Sequence, residues 1–435
     1  MLKQVNLKHV GPASQFRIEF GERINLITGD NGLGKSFLLD VAWRALTGTG
    51  VGNIPWPQQG KANQAEISYT IGINNQGKNL INTLNWHRYK WSSQNRSKPI
   101  NGLVIYISSD DKFSVWDSAR NYREESTGEG INWEESYRPA AYHFTPDTLW
   151  NGLEAAPKAG EAFRQVLCNG LLRDWISWQN QPVQNETSPF TVLSQVIEKL
   201  APHQDEWMKP GEPTRVFLHD VRDIPTLNLP YGNVPIIHAS AGMKRILGLA
   251  YLLVWTWYEH VQASFLLNQA PTDRLILLID EVEAHLHPKW QKSILPAILA
   301  VAEGIQAQIK TQLIATTHSP LVFASVEADL EAERDKLFLF DLDGQTVTLS
   351  ELNRAKQGRG FGWFAAEILG WQQQRSPEAT TAIQAAYAWM HGNNMAEFPP
   401  HLRTKEQIHR ELKRFLPEHD PFWPRWSIVK LGVNS

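Results

Sequence analysis

Apolar and polar residues alternate along the first part of the chain, which is typical of half-buried β-strands. This alternation predicts strands over Leu2–Val10, Gln15–Phe20 and Arg23–Thr28. Directly afterwards, apolar residues recur at helical spacing and predict a helix over Ser36–Leu46. Alternation returns in four further segments, which predict strands at Ala65–Ile73, Leu80–Trp91, Leu103–Ile107 and Phe113–Trp116.

The second half of the chain has longer apolar runs. Leu275–Ile279 and Leu313–Thr317 are nearly free of charge, as expected of strands that are buried on both faces. The pattern also predicts helices over most of 146–200, from Ser240 to about Trp257, over Pro288–Ala302 and in the last 85 or so residues. It further predicts a strand at Val234–His238 and a hairpin formed by Lys336–Asp341 and Thr346–Leu349. The mixture of buried strands and helices predicts an α/β fold.

Composition narrows the class of protein. The chain has 435 residues and a formal net charge of −3, which excludes a polybasic nucleic-acid coat and an acidic tail. A single cysteine, Cys168, excludes a disulfide scaffold and fits a reducing cytoplasm. The longest apolar run, Ile246–Tyr258, is too short to span a bilayer, and the N-terminus has no signal-peptide pattern. We therefore expect a cytoplasmic protein without membrane segments.

The strongest motif lies between the third predicted strand and the first helix. It matches the phosphate-binding loop pattern and consists of Gly29, Asp30, Asn31, Gly32, Leu33, Gly34, Lys35 and Ser36. Glycines allow backbone N–H groups to surround a phosphate, and the helix that follows directs its positive N-terminal end at the anion. Lys35 is expected to reach the β- and γ-phosphates of ATP, and the Ser36 hydroxyl to bind Mg²⁺.

A second motif ends the apolar strand Leu275–Ile279. Asp280 is expected to hold Mg²⁺ through water, and Glu281 to act as the general base that activates the attacking water. Taken alone, the two acids also fit a solvated turn after a core strand. The motif follows Lys35 by 245 residues, so a large insertion separates the two halves of the predicted site.

Two weaker motifs complete the set. His318 directly follows the strand Leu313–Thr317, where it can sense the γ-phosphate as a hydrogen-bond donor, although an ordinary polar strand end is the alternative. Ser240 and Gly242 open the long apolar helix. Ser240 can cap that helix and Gly242 permits close approach to a phosphate, although a plain helix cap is the alternative.

Together these motifs resemble the ABC-type ATPases of the SMC, RecF and OLD group. The resemblance is carried by the loop Gly29–Ser36, by Asp280-Glu-Val-Glu-Ala-His-Leu-His-Pro288, and by Thr317-His-Ser-Pro320. It covers roughly residues 1–117 and 234–350. More narrowly, the chain looks like the stand-alone ATPases of Septu-type and retron-associated anti-phage systems. The chain departs from the group at Ala241 and Val282, and none of Gln58, Gln59 and Gln179 fits as the Q-loop glutamine.

The resemblance implies an organisation and a set of partners. It implies an ATPase head with a mixed sheet, formed by residues 1–117 and 234–350, an inserted and mainly helical lobe at 118–233, and a helical extension at 351–435. It implies a homodimer that closes on two ATP molecules, with the Ser240 loop of one protomer at the other's phosphate-binding loop. Since no nuclease motif is found, the output is expected to pass to a separate effector such as an HNH-type nuclease.

Several alternatives stay open at this stage. A DNA-maintenance ATPase that binds DNA directly is the main rival, and the basic and aromatic segment His87–Trp91 is its candidate contact. A transporter ATPase is disfavoured because the Q-loop glutamine is not placed. A Toprim nuclease built on Asp341 and Asp343 is disfavoured because the glutamate motif that would accompany these acids does not occur. His285 and His287 are interpreted as structural and not as zinc ligands.

The C-terminal segment combines helical signals with an aromatic tail. Pro377 and the capping box Thr404–Gln407 predict a helical hairpin. Beyond it, Phe422, Trp423 and Trp426 stand close together between prolines. These aromatic side chains are predicted either to anchor a partner protein or to pack on the hairpin itself.

Overall fold

A computed structural model describes most of the chain in two compact units, Met1–Gly362 and Trp363–Ser435. The residues described are 1–52, 54–73, 76–85, 90–93, 100–121, 138–155, 164–182, 185–201, 204–305, 309–327, 329–352, 377–390, 392, 394–416, 422–423 and 426. Within these ranges no helix is both long enough and apolar enough to cross a membrane.

The first unit is built from eighteen described strands and eight described helices. The strands are β1 (Leu2–Lys8), β2 (Gln15–Glu19), β3 (Ile24–Gly29), β4 (Glu66–Ile73), β5 (Gln76–Asn85), β6 (Lys90–Ser93), β7 (Leu103–Ile107), β8 (Phe113–Asp117), β9 (Tyr142–Phe144), β10 (Leu153–Glu154), β11 (Val166–Cys168), β12 (Lys209–Arg215), β13 (Asp223–Leu229), β14 (Gly232–Pro235), β15 (Arg274–Ile279), β16 (Lys310–Thr316), β17 (Lys336–Asp343) and β18 (Thr346–Glu351). The helices are α1 (Lys35–Thr47), α2 (Pro146–Asn151), α3 (Leu171–Gln179), α4 (Pro189–Lys199), α5 (Ala241–Leu266), α6 (Pro288–Gln291), α7 (Ile294–Ile305) and α8 (Pro320–Val326).

An eight-stranded mixed sheet forms the centre of this unit. Its order is β18-β17-β3-β16-β15-β7-β8-β9, and the five strands from β17 to β7 run parallel to one another. Strands β3, β7 and the apolar part of β15 are buried along their whole length, which explains their continuous apolar sequences. The predicted α/β class is confirmed, and the parallel strands direct their carboxyl ends to one edge of the sheet.

A second, antiparallel sheet of order β2-β1-β4-β5-β6 covers α1 from the other side. Helix α1 contacts β1 of this sheet as well as β3, β16, β15 and β7 of the central sheet. The two sheets are also tied by Gln312 in β16, whose buried amide bonds both the N–H and the carbonyl of Leu2 and the carbonyl of Gly21. The single strand predicted over Leu80–Trp91 is wrong, because β5 and β6 are separate strands that pair with each other.

The segment between the two halves of the central sheet contains more strands than its sequence predicts. Besides α2, α3 and α4 it holds the strand pair β10-β11 and the antiparallel sheet β12-β13-β14. Strand β12 has the sequence KPGEPTR, and its two prolines and glycine hide its pairing potential. The strand predicted over Val234–His238 is instead the end of β14 followed by a turn of 3₁₀ helix. The domain limits given above remain predictions.

Two helices differ in extent from their predictions. Helix α5 continues to Leu266, nine residues beyond the predicted end near Trp257, because its last part is still amphipathic enough to pack, with His260 and Ser264 buried. The helix predicted over Pro288–Ala302 is divided into α6 and α7 around Lys292 and Ser293.

The second unit is a helical hairpin closed by the aromatic tail. Helices α9 (Pro377–Met390) and α10 (Lys405–Phe415) pack together, and the Thr404–Gln407 capping box forms at the start of α10. Phe422 and Trp426 are only 3% and 4% exposed within the core of this hairpin. The Trp426 ring N–H donates to His409 Nδ1 at 3.0 Å. Of the two predictions for the tail, packing on its own hairpin is therefore confirmed, and Phe422 and Trp426 are not exposed partner anchors.

Candidate functional site

The four predicted motifs lie at or near one edge of the central sheet. The loop Gly29–Ser36 follows β3, Asp280 and Glu281 follow β15, and His318 follows β16. Because β3, β16 and β15 are adjacent parallel strands, their carboxyl ends carry these three motifs side by side. Open α/β sheets bind their ligands at this edge.

The phosphate-binding loop depends on glycine at three positions. Gly29, Gly32 and Gly34 have φ angles of 136°, 80° and 100°, which side chains rarely adopt. A Cβ atom at Gly29 would lie 2.2 Å from the carbonyl oxygen of Phe340 in β17, whereas the space next to Gly32 is open. Leu33 is buried in the core, while Asp30, Asn31 and Ser36 are exposed at the mouth of the loop.

The ammonium group of Lys35 is folded into this loop. It donates to the carbonyl oxygens of Gly29 at 2.9 Å and Asp30 at 2.7 Å. Burial lowers the pKa of Lys35, and the negative charges of Asp280 and Glu281 oppose that shift. A buried cation that is held by backbone carbonyls, which are neutral, is well placed to take an anionic ligand.

Thr316 joins the two acids that follow β15. Its hydroxyl donates to the Asp280 carboxylate at 2.7 Å and accepts from the Glu281 N–H at 2.8 Å. Asp280 is 2% exposed, and Glu281 has a φ of 49°, so its backbone turns sharply at the end of the strand. Strand β16 thus holds the Asp280 carboxylate and the Glu281 backbone.

The loop around His318 is held by the segment that follows Glu281. The carboxylate of Glu283 accepts hydrogen bonds from the Thr317 hydroxyl and from the His318 N–H. The next residue, Ser319, caps α8 and donates its hydroxyl to Gln291 at 2.7 Å. The backbone of His318 is therefore tied to the same loop as Asp280 and Glu281.

The start of α5 shows the local roles of Ser240 and Gly242, for which the sequence left a phosphate contact and a plain helix cap as alternatives. Ser240 caps the helix, since its hydroxyl accepts from the N–H of Met243 at 3.3 Å, and both Ser240 and Ala241 are exposed. Gly242 is buried, and a Cβ atom there would lie 2.7 Å from the carbonyl oxygen of His285. Close packing within the same chain therefore accounts for the glycine, whatever its part in phosphate binding.

Arg245 is a residue of this region whose role sequence reasoning missed. It is 6% exposed, lies one turn into α5, and pairs with Asp111. Its guanidinium also donates to the carbonyl oxygens of Asp280 at 3.2 Å and Glu281 at 3.3 Å. The sequence shows a charged residue close to the Ser240 motif, but the partners of Arg245 are distant in the chain, so its role is not visible there. Arg245 thus connects the start of α5 to the end of β15.

Asp40 is a second missed residue, one turn beyond Ser36 on α1. It accepts a hydrogen bond of 3.0 Å from the Tyr106 hydroxyl. Burial, reinforced by the negative charge of Asp280 and opposed by the Tyr106 bond, raises the pKa of Asp40 to about 7. Asp40 lines a cavity of about 430 Å³ at the end of β7, together with Lys112 and His143.

The remaining expectations have mixed outcomes. Two observations concern the Q-loop glutamine, which the sequence does not place. The loop Ser108–Lys112, which follows β7 beside the Asp280 strand, contains no glutamine. Gln58 and Gln179 donate hydrogen bonds to the carbonyl oxygens of Gly11 and Gly211. Asp341 and Asp343 lie in the hairpin strand β17. His285 lies 3.5 Å from Asp111, and no group of three metal-binding side chains occurs among the described residues. Residues 86–89, within the basic and aromatic segment, lie outside the described residues.

The residues present fit ATP and Mg²⁺. Gly32 has open space beside it, Ser36 is exposed, and the charges of Asp280 and Glu281 act on the buried Lys35 ammonium. Hydroxyl and carboxylate oxygens are the ligands that Mg²⁺ prefers beside phosphates. Ser36 and Asp280 are the residues that would hold the ion.

Comparison with known proteins gives two family matches and several similar solved structures. Residues 4–135 match a family described as "AAA domain", and residues 228–324 match one described as "AAA domain, putative AbiEii toxin, Type IV TA system". Among solved structures, the chain aligns with the SMC head domain from Thermotoga maritima at a TM-score of 0.38 and 15% identity, over 81% of this chain and 99% of that one. It aligns with a structure of the recombination mediator protein RecF at a TM-score of 0.38 and 13% identity, over 80% and 98%.

Curated relatives include a Septu protein and two retron proteins. The Septu protein PtuA of Bacillus thuringiensis is 23% identical over 88% of this chain and 87% of its own length. The Retron Vc95 probable ATPase of Vibrio cholerae serotype O1 biovar El Tor is 27% identical over 37% of this chain and 33% of its own length. The Retron Ec83 probable ATPase of Escherichia coli is 42% identical over 22% of this chain and 16% of its own length. The chain is therefore an α/β protein with two segments that match AAA-domain families. It is similar to a Septu protein and to retron probable ATPases, and the resemblance carried by its motifs is confirmed.

Proposed function

We propose that the chain is a Mg²⁺-dependent ATPase that closes as a homodimer around ATP and controls a separate effector in anti-phage defence. The observation that carries the catalytic part is the convergence of Lys35, Asp280, Glu281 and His318 at the carboxyl ends of three adjacent parallel strands. The similarity to Septu and retron proteins supports the defence role and a partner protein.

Each residue has a role that follows from its surroundings. The backbone N–H groups of Gly29–Ser36 hold the phosphates, and Lys35 moves from its carbonyl partners to the γ-phosphate oxygens. Bound Mg²⁺ neutralises charge that develops on the phosphate oxygens. Glu281 accepts the proton of the attacking water, while Thr316 holds its backbone in place. His318, held at its N–H by Glu283, donates to the γ-phosphate.

The homodimer rests on the exposed start of α5. Ser240 and Ala241 are exposed at a helix N-terminus, which favours contact with an anion carried by a second protomer. In the proposed dimer they complete the site of the partner, so ATP controls assembly. The output of the dimer is proposed to pass to a separate effector such as an HNH-type nuclease.

Hydrolysis by the full chain tests the catalytic proposal. Glu281→Gln keeps the shape of the side chain but cannot accept a proton, so it should retain ATP binding and lose turnover. Lys35→Ala should weaken ATP binding itself. Full Mg²⁺-dependent hydrolysis in Glu281→Gln would overturn the assignment of the base.

Light scattering with Glu281→Gln and ATP tests the dimer. A Gly242 substitution is unsuitable, because any side chain there would collide with the His285 carbonyl of its own chain. Ala241→Glu instead adds a charge at an exposed position and should prevent ATP-driven dimerisation while ATP still binds. Leu342→Glu, at another exposed apolar position, is the matched control. A dimer that persists in Ala241→Glu would place the interface elsewhere.

A further inference from the structure

An aromatic cavity lies beside the start of α5, outside the nucleotide site. It has a volume of about 320 Å³ and is lined by the rings of Trp207, Tyr231 and Trp290 together with Met243. Trp290 is 8% exposed and forms the floor, whereas Trp207 and Tyr231 are 38% and 75% exposed and stand at the rim. Exposed aromatic rings around a cavity are typical of a binding site, because their apolar faces would otherwise be buried in the core.

The charged residues that line the cavity are both acidic. Asp205 and Glu206, from the turn that precedes Trp207, are among the residues that line it. Glu206 also pairs with Lys289, which lies next to Trp290 on α6. Aromatic faces attract cations, and nearby carboxylates strengthen that preference and disfavour phosphates. The chemistry therefore selects a cation on an aliphatic chain and disfavours nucleic acid.

The shape of the cation is set by the aromatic residues. A guanidinium is planar, is weakly hydrated and stacks on aromatic rings, whereas an ammonium is compact and strongly hydrated. A volume of about 320 Å³ accommodates one long side chain. An arginine side chain fits these conditions best, with its stem on Met243 and its head between the rim rings.

We propose that this cavity receives an arginine side chain of the effector protein. The choice of an effector as the source rests on the proposed function, whereas the choice of arginine rests on the cavity alone. Met243 links the cavity to the proposed ATP dimer, because its N–H donates a hydrogen bond to Ser240 at the exposed start of α5. Occupation of the cavity and closure of the ATP dimer therefore act on the same first turn of α5.

Direct binding of a small probe tests the cavity. The probe is arginine blocked as its acetyl and methylamide derivative, which imitates an arginine within a peptide. The full chain is labelled with 5-fluorotryptophan, and the Trp207 fluorine resonance is assigned with Trp207→Phe. We expect a saturable shift of that resonance with blocked arginine, and a binding constant roughly tenfold weaker for blocked citrulline, which has the same shape without the charge.

Three variants define the site. Tyr231→Ala should weaken binding of blocked arginine several-fold, whereas Tyr231→Phe keeps the ring and should bind normally. Asp205→Asn should weaken blocked arginine but leave blocked citrulline unchanged. Tyr231 is largely in solvent, so these changes leave the fold intact, which circular dichroism verifies.

Three results would overturn the proposal. One is the absence of any saturable shift with blocked arginine, and another is equal binding of citrulline. The third is tighter binding of spermidine or free arginine than of blocked arginine, since the site would then serve a small metabolite. ATP hydrolysis is measured on the same samples. Loss of arginine binding with normal hydrolysis counts against this site alone, and absent hydrolysis with intact binding counts against the proposed ATPase alone.

Discussion

Thr316 donates its hydroxyl hydrogen to the Asp280 carboxylate over 2.7 Å, across two neighbouring strands of the central sheet. The same hydroxyl oxygen accepts the N–H of Glu281. The Asp280 carboxylate and the Glu281 backbone are therefore held by one side chain of β16, the strand that leads to His318.

We expect Thr316→Val to lower the turnover number about 10–100-fold, because partners that orient metal-binding residues typically contribute that much. Thr316→Ser retains the hydroxyl and should stay close to the native rate. Steady-state hydrolysis and nucleotide titration measure the two effects separately. An unchanged turnover number in Thr316→Val would show that the acids are oriented without this bond.

Arg245→Met should destabilise the first unit by about 2–4 kcal/mol, because it removes the buried guanidinium that pairs with Asp111 and donates to the carbonyls of Asp280 and Glu281. Chemical denaturation measures the free energy of unfolding. Lys112→Met is the control, since Lys112 forms an exposed pair with Asp110 that is worth less than about 1 kcal/mol. Equal losses in the two variants would contradict the connecting role of Arg245.

Asp40 should make the stability of the first unit depend on pH. Its pKa is raised from 3.8 to about 7 in the folded chain, so the stabilisation by the protonated form is complete below pH 4 and is lost as the pH rises through 7. Asp40→Asn cannot ionise. The melting temperature of Asp40→Asn, relative to the native chain, should therefore rise by about 2–4 °C between pH 5 and pH 8.

Asp110→Asn provides the control for Asp40. In the native chain, the hydrogen bond from Lys112 lowers the pKa of Asp110, so the Asp110 carboxyl is ionised in both the folded and unfolded states above pH 5. Its melting temperature relative to the native chain should not change between pH 5 and pH 8. A flat difference for Asp40→Asn over the same range would mean that Asp40 is better solvated than its burial indicates.

Removal of the aromatic tail should unfold the helical hairpin of the second unit. A chain that ends at residue 417 lacks Phe422 and Trp426, and loss of one such buried ring costs about 3–5 kcal/mol. Hydrogen exchange in α9 and α10 should rise to the rate of an unfolded chain. A chain that ends at residue 426 keeps both rings and should stay protected. Protection of the hairpin without the tail would restore the interpretation of the tail as a free anchor.

The parts of the site that the sequence predicts are those with short-range signals. The loop Gly29–Ser36 and the apolar strand before Asp280 each depend on residues that are neighbours in the chain. A buried parallel strand must be apolar on both faces, and a phosphate loop must contain glycine, so both patterns are visible without a structure. The capping box of α10 is predictable for the same reason.

The parts that the sequence does not predict depend on distant partners. Arg245 acquires its role from Asp111 and from carbonyls at the end of β15, and Gly242 is required by the carbonyl of His285. Strand β12 contains two prolines and forms only because β13 is available to pair with it. Trp426 has the composition of an interface residue, and only the position of His409 shows that it packs inward.

The position of β3 within the sheet has a consequence for synthesis of the protein. Its two neighbours, β16 and β17, begin at residues 310 and 336, so β3 has no strand partner in the central sheet while the first 300 residues leave the ribosome. Until those two strands have been synthesised, the nascent chain carries its phosphate-binding loop on an unpaired strand, and such strands are prone to aggregate. We therefore expect the chain to bind nucleotide only after β16 and β17 have left the ribosome, when β3 can take its place in the sheet.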